Sequence, residues 1–256
     1  MANILRIGWL FPNTLNLHGD RGNILAIKAE GLRRGYSVEV HQITLDTLDF
    51  DPMNYDFLFC APGEIVHFKE IVRFLTPHKN ALSTFIETRP LLVTGTSIAI
   101  FGKLMHRCED YSFSGLGLLN VDCVENKTVY GDDLYFTCCY NDKEMEIIGC
   151  QIQMMNLEIL EETPFGLLKY GYGNTGKTTQ EGVIKGQGIF TNTLGPVLIC
   201  NPWLTEEIVN LIEHNKGMHP DAIKRDNTLE ENSFKTKLNL IKTKETALTN
   251  TALSEQ

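Results

Sequence analysis

A chain of 256 residues with 43% hydrophobic and 21% charged side chains can bury one substantial core. Its formal net charge of −9 argues against nucleic acid as a partner, because a sequence-independent grip on phosphates needs an excess of Lys and Arg. The N-terminal residues lack a basic segment followed by a long apolar stretch, and no later run approaches about 18 apolar residues. The sequence therefore predicts a cytoplasmic protein without membrane insertion.

The first 94 residues alternate between strand and helix patterns. Short apolar runs typical of strands occupy residues 4–11, 57–60 and 91–94, and residues 37–43 alternate between apolar and polar side chains. Helical spacing marks residues 23–34, which end at Gly35, and residues 65–86, with an interruption near Pro77. Strands that alternate with helices predict a parallel sheet covered on both faces.

After Gly115 the pattern changes to short β-like runs separated by Gly and Asn-Asp, and the sheet is predicted to continue with antiparallel strands. These runs are residues 116–124, 134–140, 146–153, 165–172 and 182–191. Helices are predicted over residues 204–214 and from a cap at 226–227 to about residue 242. We expect one domain over residues 1–242 and a disordered tail over residues 243–256, which have little to bury.

The cysteines do not indicate a disulfide framework or a zinc ribbon, because they are odd in number and form no CxxC pair. Seven are present, at positions 60, 108, 123, 138, 139, 150 and 200. We expect reduced and mostly buried thiols, no metal and no cofactor.

Residues 171–178, GYGNTGKT, fit the phosphate-loop pattern G-x-x-x-x-G-K-[ST]. That motif needs a helix beginning at its Lys-Thr end, because helix N-terminal amides help to bind the phosphates. The residues that follow are rich in Gly and β-branched side chains and predict a poor helix. We therefore interpret the segment as a hairpin turn between two strands, with Lys177 in solvent.

Four segments of the chain resemble the GatD-type glutaminase subunits of lipid II isoglutaminyl synthase, which are CobB/CobQ-like class I glutamine amidotransferases. They are residues 15–23 (LNLHGDRGN), 115–119 (GLGLL), 170–174 with 181–182, and 195–196 with 201–202. The resemblance implies a flavodoxin-like α/β fold with its pocket at the C-terminal ends of the parallel strands. It also implies a MurT-type Mur ligase partner, which receives ammonia and amidates the peptidoglycan precursor.

The resemblance fails at the residues that carry the chemistry. Residues 90–102, PLLVTGTSIAIFG, predict a strand, a sharp turn and a helix, and the family's cysteine nucleophile falls on Gly95. Its histidine falls on Leu194, a second histidine on Gln153, and the arginine that binds glutamine near Thr128. The sequence thus predicts a degenerate member of the group, without catalytic residues, that acts as a scaffold or regulatory subunit.

An alternative is an active amidase or hydrolase with a relocated nucleophile. Residues 95–99 approximate a G-x-S-x-G elbow around Ser97, and Cys60 ends a strand ahead of a loop near His67. The plainer interpretations are that Thr96 and Ser97 cap the helix and that Cys60 is a buried, inert side chain.

Asp20 and Arg21 lie in the best-preserved segment, at a predicted strand-to-helix loop. Two interpretations are open. They form a local ion pair or helix cap, or they shape the pocket or a partner-docking loop.

Overall fold

The N-terminal half of the chain folds as strands separated by helices. The computed structural model describes residues 4–109, 111–218 and 226–254. Its first elements are β1 (Ile4–Leu10), α1 (Gly22–Arg33), β2 (Ser37–Ile43), β3 (Phe57–Cys60), α2 (Phe68–Leu75), α3 (Lys79–Thr88), β4 (Leu91–Thr94) and α4 (Ile98–Phe101). The predicted break near Pro77 is a 3₁₀ turn, Thr76–His78, between α2 and α3. It is placed where proline, lacking an N–H, interrupts the helical hydrogen bonds.

The C-terminal half consists of strands followed by three helices. Its elements are β5 (Leu104–His106), β6 (Ser112–Ser114), β7 (Val121–Tyr140), β8 (Lys143–Ile159), β9 (Gly166–Tyr170), β10 (Gln180–Glu181), β11 (Val183–Lys185), β12 (Gly188–Thr191), α5 (Val197–Cys200), α6 (Pro202–Asn215) and α7 (Thr228–Ser254). Among the described residues, no helix is long and apolar enough to cross a membrane.

Six strands form the first sheet in the order β11-β12-β4-β3-β1-β2, parallel except for β11. The strand β3 shows how both faces are buried. Phe57 and Phe59 pack in the core that includes side chains of α1 and α6, whereas Leu58 and Cys60 pack with side chains of α2 and α3. The predicted parallel sheet with helices on both faces is confirmed.

The sequence predicted that the antiparallel strands continue the first sheet. Most of them form a second sheet instead. Its order is β10-β9-β7-β5-β6, with β8 paired to β7. The runs predicted over residues 116–124 and 134–140 contribute to one strand, β7, which is interrupted only by a bulge between Glu125 and Tyr130. Asn141 and Asp142 join β7 to β8 with φ of 50° and 60°. A left-handed backbone at both positions allows a tight two-residue turn. Short-range sequence patterns do not predict the full length of the two strands that this turn joins.

Helix α7 packs on the β7–β8 hairpin. The Phe234 ring lies 5.4 Å from that of Trp203, and the Lys244 Nζ lies 2.5 Å from Asp132 Oδ1. The predicted cap is confirmed, since the Thr228 amide donates to Asp226 Oδ1 at 3.1 Å. The helix extends past residue 242, the predicted end of the domain, to Ser254. The division of the chain at residue 242 stays a prediction.

Candidate functional site

The turn after β4 holds a glycine in a backbone conformation that other residues rarely adopt. Gly95 has φ of +57° and begins a 3₁₀ turn, Gly95–Ser97, that leads into α4. The predicted strand, sharp turn and helix over residues 90–102 are present, although the helix is short. A Cβ at Gly95 would lie 3.0 Å from Pro62 Cβ and 3.5 Å from Leu194 Cδ2. Aliphatic carbon atoms therefore surround the position; we call Pro62, Gly95 and Leu194 the elbow.

Leu194 reaches the elbow because it follows β12, the parallel neighbour of β4. Its side chain is buried, and its backbone exchanges two hydrogen bonds with Cys150 on β8, at 2.8 and 3.1 Å. The structure thus brings together the two positions that the resemblance assigns to the nucleophile and its histidine. Neither residue has an atom that can donate, accept or transfer a proton from its side chain.

The other two assigned positions lie elsewhere. Gln153 is buried in β8, where its Nε2 donates to the Asn174 carbonyl at 3.1 Å and its side chain also contacts that of Gln151. Thr128 is exposed on the bulge of β7. Neither residue is among the nearest neighbours of Gly95.

The side-chain hydroxyl groups of Thr96 and Ser97 are hydrogen-bonded to the loop after β3. They do not cap the helix, so the capping interpretation is wrong. Thr96 Oγ1 donates to the Gly63 carbonyl at 2.6 Å and accepts from the Gly63 amide at 3.1 Å. Ser97 Oγ donates to the Ala61 carbonyl at 2.6 Å and is fully buried. These bonds tie the loop after β3 to the elbow.

Cys60 is fully buried at the end of β3. Burial raises the pKa of its thiol to about 12, and the nearby Ser97 hydroxyl only partly opposes the shift. A thiol with such a pKa carries almost no thiolate near neutral pH. His67, by contrast, is exposed.

Asp20 is a buried carboxyl group directly behind the elbow. Its Oδ2 accepts a 2.5 Å hydrogen bond from Thr94 Oγ1. Burial raises the pKa of Asp20 to about 6, against the effects of the Thr94 hydroxyl group and the Gly195 backbone amide. The side chain makes no cap at α1, and Arg21 is exposed. The interpretation as a local cap is therefore wrong for Asp20, which reaches across to the residue before Gly95.

Glu181 is a second buried carboxyl group and takes part in several hydrogen bonds. The sequence indicated this residue only as part of the family resemblance at residues 181–182. Glu181 accepts from Thr191 Oγ1 at 2.9 Å and from the Asn192 amide at 2.7 Å. Asn174 accepts from the Gly182 amide at 2.7 Å and donates to the Gly182 carbonyl at 3.1 Å. Burial raises the pKa of Glu181 to about 7, and these hydrogen bonds oppose the shift. We call Asn174, Glu181 and Asn192 the turn network.

The turn network lies beside the elbow because Thr191, which bonds Glu181, is the register partner of Thr94, which bonds Asp20. No local pattern indicates that Glu181 is buried, because glutamate side chains are mostly exposed. Its partners are distant in the chain and could not be named.

The phosphate-loop-like segment forms the predicted hairpin turn. It joins β9 to β10, which pair antiparallel, and no helix begins at its Lys-Thr end. Lys177 is exposed, and its backbone amide bonds Thr175 Oγ1 at 3.3 Å.

A cleft of about 600 Å³ lies apart from the elbow, between α6, α7 and β8. Trp203 and Phe234 form its aromatic wall, and none of its lining residues belongs to the elbow. The positions that the resemblance assigns to catalysis therefore do not line this cleft.

The arrangement of a mostly parallel sheet, helices on both faces and a sharp turn after β4 defines the class I glutamine amidotransferase fold, which is flavodoxin-like. A solved structure described as PurLQS from Thermotoga maritima superposes with a TM-score of 0.53 at 12% identity. It covers 84% of this chain and 97% of that one. At this identity the likeness concerns the fold alone.

Two curated relatives carry the resemblance to GatD. The GatD subunit of the glutamine-hydrolysing lipid II isoglutaminyl synthase from Staphylococcus aureus is 26% identical over 236 residues, which are 88% of this chain and 91% of that protein. The same subunit from Streptococcus pneumoniae is 24% identical over 208 residues, 80% of this chain and 79% of that protein. No family model matches the chain. The chain is thus similar to GatD subunits over most of its length, as its sequence motifs indicated.

Proposed function

We propose that this chain is a catalytically degenerate GatD-like glutamine amidotransferase homologue that works in the cytoplasm as a scaffold or regulatory subunit of a MurT-type ligase. The two relatives are subunits of an enzyme named for lipid II, and their likeness extends over most of the chain. We therefore assign the protein to the amidation of peptidoglycan precursors.

We infer the loss of glutamine hydrolysis from the residues that form the elbow. Covalent glutamine hydrolysis needs a thiolate at a strand-to-helix turn and an imidazole beside it to transfer the proton. Gly95 and Leu194 lie at this turn, 3.5 Å apart when measured from the Cβ that Gly95 lacks to Leu194 Cδ2. The proximity of the two positions supports the sequence register, and their side chains support neither step.

The neighbouring loop also lacks the donors that such a reaction uses. An oxyanion is stabilised by free backbone N–H groups aimed at it. Pro62 has no N–H, and the N–H of Gly63 already donates to Thr96 Oγ1. This loop therefore supports a structural role.

The relocated nucleophiles are poorly placed for an alternative reaction. Ser97 and Cys60 are both fully buried, and the Ser97 hydroxyl donates to a backbone carbonyl. A nucleophile must reach substrate and must be activated by a base. The buried positions favour the degenerate assignment over an active hydrolase.

The assignment is tested by measuring ammonia release from glutamine with the purified protein, alone and with any Mur-ligase-like protein that is co-encoded with it. We expect no release above that of the buffer, and we expect the two proteins to co-elute as a complex. Release that is lost in Ser97→Ala or Cys60→Ala would establish the hydrolase instead. Failure of the ligase to bind would overturn the scaffold role, whatever the ammonia assay gives.

A further inference from the structure

The segment after β12 is fastened to the outer edge of β8. Leu194 exchanges two backbone hydrogen bonds with Cys150, and Asn201 bonds both backbone groups of Ile148, accepting from its amide at 2.9 Å and donating to its carbonyl at 2.8 Å. Residues 194–201 are therefore held at both ends against two residues of β8, Ile148 and Cys150. Motions that separate Cys150 from this segment are restrained.

Two cysteine sulfurs meet at one residue of this segment. Cys200 Sγ lies 2.8 Å from the carbonyl oxygen of Gly195, to which its S–H donates. Cys150 Sγ lies 3.1 Å from the position that a Cβ on Gly195 would occupy. Glycine at 195, with φ of +97°, has no Cβ in the space beside the Cys150 sulfur, so both sulfurs lie within contact distance of this residue.

The exposure of these two thiols differs from that of the other cysteines. Cys150 and Cys200 are free and half-buried, so that a small reagent can reach them while the surrounding backbone still fixes their positions. Cys60, Cys123 and Cys138 are buried, and the remaining two, Cys108 and Cys139, are exposed.

We propose that Cys150 and Cys200 form a redox-active thiol pair that a low-molecular-weight disulfide, such as glutathione disulfide, oxidises to an intramolecular disulfide. This inference does not depend on the proposed function. One thiolate attacks a sulfur of the reagent, forms a mixed disulfide and releases one thiolate of the reagent. The second protein thiolate attacks the protein sulfur and releases the other half of the reagent. Two protein thiols are oxidised and one disulfide is reduced to two thiols.

The charges around the pair make its oxidation slow near neutral pH. Burial raises the pKa of both thiols, while the ammonium group of Lys237 on α7 lowers it and the carboxyl group of Asp20 raises it. Asp133 also raises the pKa of Cys150. The thiolate is the attacking species, so the reaction accelerates in alkaline buffer.

The disulfide would link Cys200 on α5 to Cys150 on β8. Cys150 is the residue to which the backbone of Leu194, at the elbow, is hydrogen-bonded. Such a link stabilises the native chain mainly by restricting the unfolded one. It would hold Leu194 and Gly195 in the conformation described here, and with them one wall of the elbow.

The test uses the full chain in a Cys108→Ser/Cys139→Ser background, which removes the two exposed thiols. After incubation with glutathione disulfide at pH 8, the intact mass should decrease by two hydrogen atoms, and a peptide joining Cys150 to Cys200 should be found. The thermal midpoint should rise by roughly 5 °C or more and return to its original value with a reductant.

Matched variants make the test decisive. Cys150→Ser in the same background should carry one glutathione on Cys200 and show no rise in the midpoint, and Cys200→Ser should behave in the converse way. Two separate glutathione adducts in the background protein would overturn the proposal. So would the retention of both thiols under conditions that modify Cys108 and Cys139 in the parent chain.

Discussion

The elbow and the turn network lie on neighbouring strand ends but are filled in opposite ways. At the elbow, the side chains around Gly95 are aliphatic and no group can titrate. In the turn network, Asn174 and Glu181 are buried with their polar atoms hydrogen-bonded to backbone and threonine groups. The comparison teaches that this chain has buried polar side chains where backbone groups need hydrogen-bond partners, and aliphatic side chains at the positions that the resemblance assigns to catalysis.

The largest effect should come from removing the centre of the turn network. Asn174→Ala leaves the buried amide and carbonyl of Gly182 without partners, so the free energy of unfolding should fall by about 3 kcal/mol. Urea unfolding measures this change. Thr179→Ala is the matched control, because this threonine is exposed in the same segment, and it should change stability by less than about 0.5 kcal/mol. Equal stability of the two variants would show that these bonds do not hold the turn.

The next effect concerns the pH dependence of stability. The pKa of Glu181 rises from 4.5 to about 7 on folding, so the folded protein binds this proton more tightly than the unfolded chain. Its contribution is present below pH 4.5 and is lost as the pH rises through about 7. Glu181→Gln should therefore reduce the decline in unfolding free energy over this range by about 2–3 kcal/mol.

Denaturant unfolding at a series of pH values measures this difference. Glu144→Gln, at an exposed position, is the control and should follow the parent protein. If the parent and Glu181→Gln have parallel pH profiles, the carboxyl group of Glu181 is not buried in the way the network requires.

A smaller effect distinguishes backbone strain at the elbow from crowding there. Gly95 and Gly19 both have positive φ, +57° and +70°, but a Cβ at Gly19 would meet no atom within 4 Å. Gly19→Ala should cost about 1 kcal/mol through strain alone. Gly95→Ala should cost about 2 kcal/mol, because its Cβ also lies close to Pro62. Thermal or urea unfolding gives both values, and equal costs would show that Pro62 moves away freely.

The smallest effect is expected at the phosphate-loop-like segment. Lys177→Ala should change stability by less than about 0.5 kcal/mol, because the side chain is exposed. Calorimetric titration with ATP and Mg²⁺ should detect no binding to either protein. Binding to the parent chain that is lost in the variant would contradict the interpretation as a turn.

Much of the N-terminal half could be predicted because its signals are local. The strands β2, β3 and β4 begin and end where the apolar runs do, and Pro77 interrupts the helices where the side chain forbids a hydrogen bond. The second sheet could not be predicted in this way. Its long strands depend on pairing between β7 and β8, and apolar runs broken by polar residues indicate several short strands.

The positions of the elbow were predictable from resemblance, but their surroundings were not. Thr96 and Ser97 have side chains typical of helix caps, whose oxygens accept from backbone amides. Only the approach of the loop after β3 provides the carbonyl groups to which their hydroxyl groups donate instead. The orientation of Asp20 toward Thr94 depends likewise on a neighbouring strand.

The sequence by itself indicated a parallel α/β protein that resembles GatD subunits, with Gly95 and Leu194 at the positions that the resemblance assigns to the nucleophile and its histidine. These conclusions depend on residue types and on spacing along the chain. Only the tertiary structure decided that Gly95 and Leu194 touch, that Asp20 and Glu181 are buried beside them, and that Cys150 and Cys200 share Gly195. The physical reason is that burial and hydrogen bonding depend on strands far apart in the chain, which no local pattern specifies.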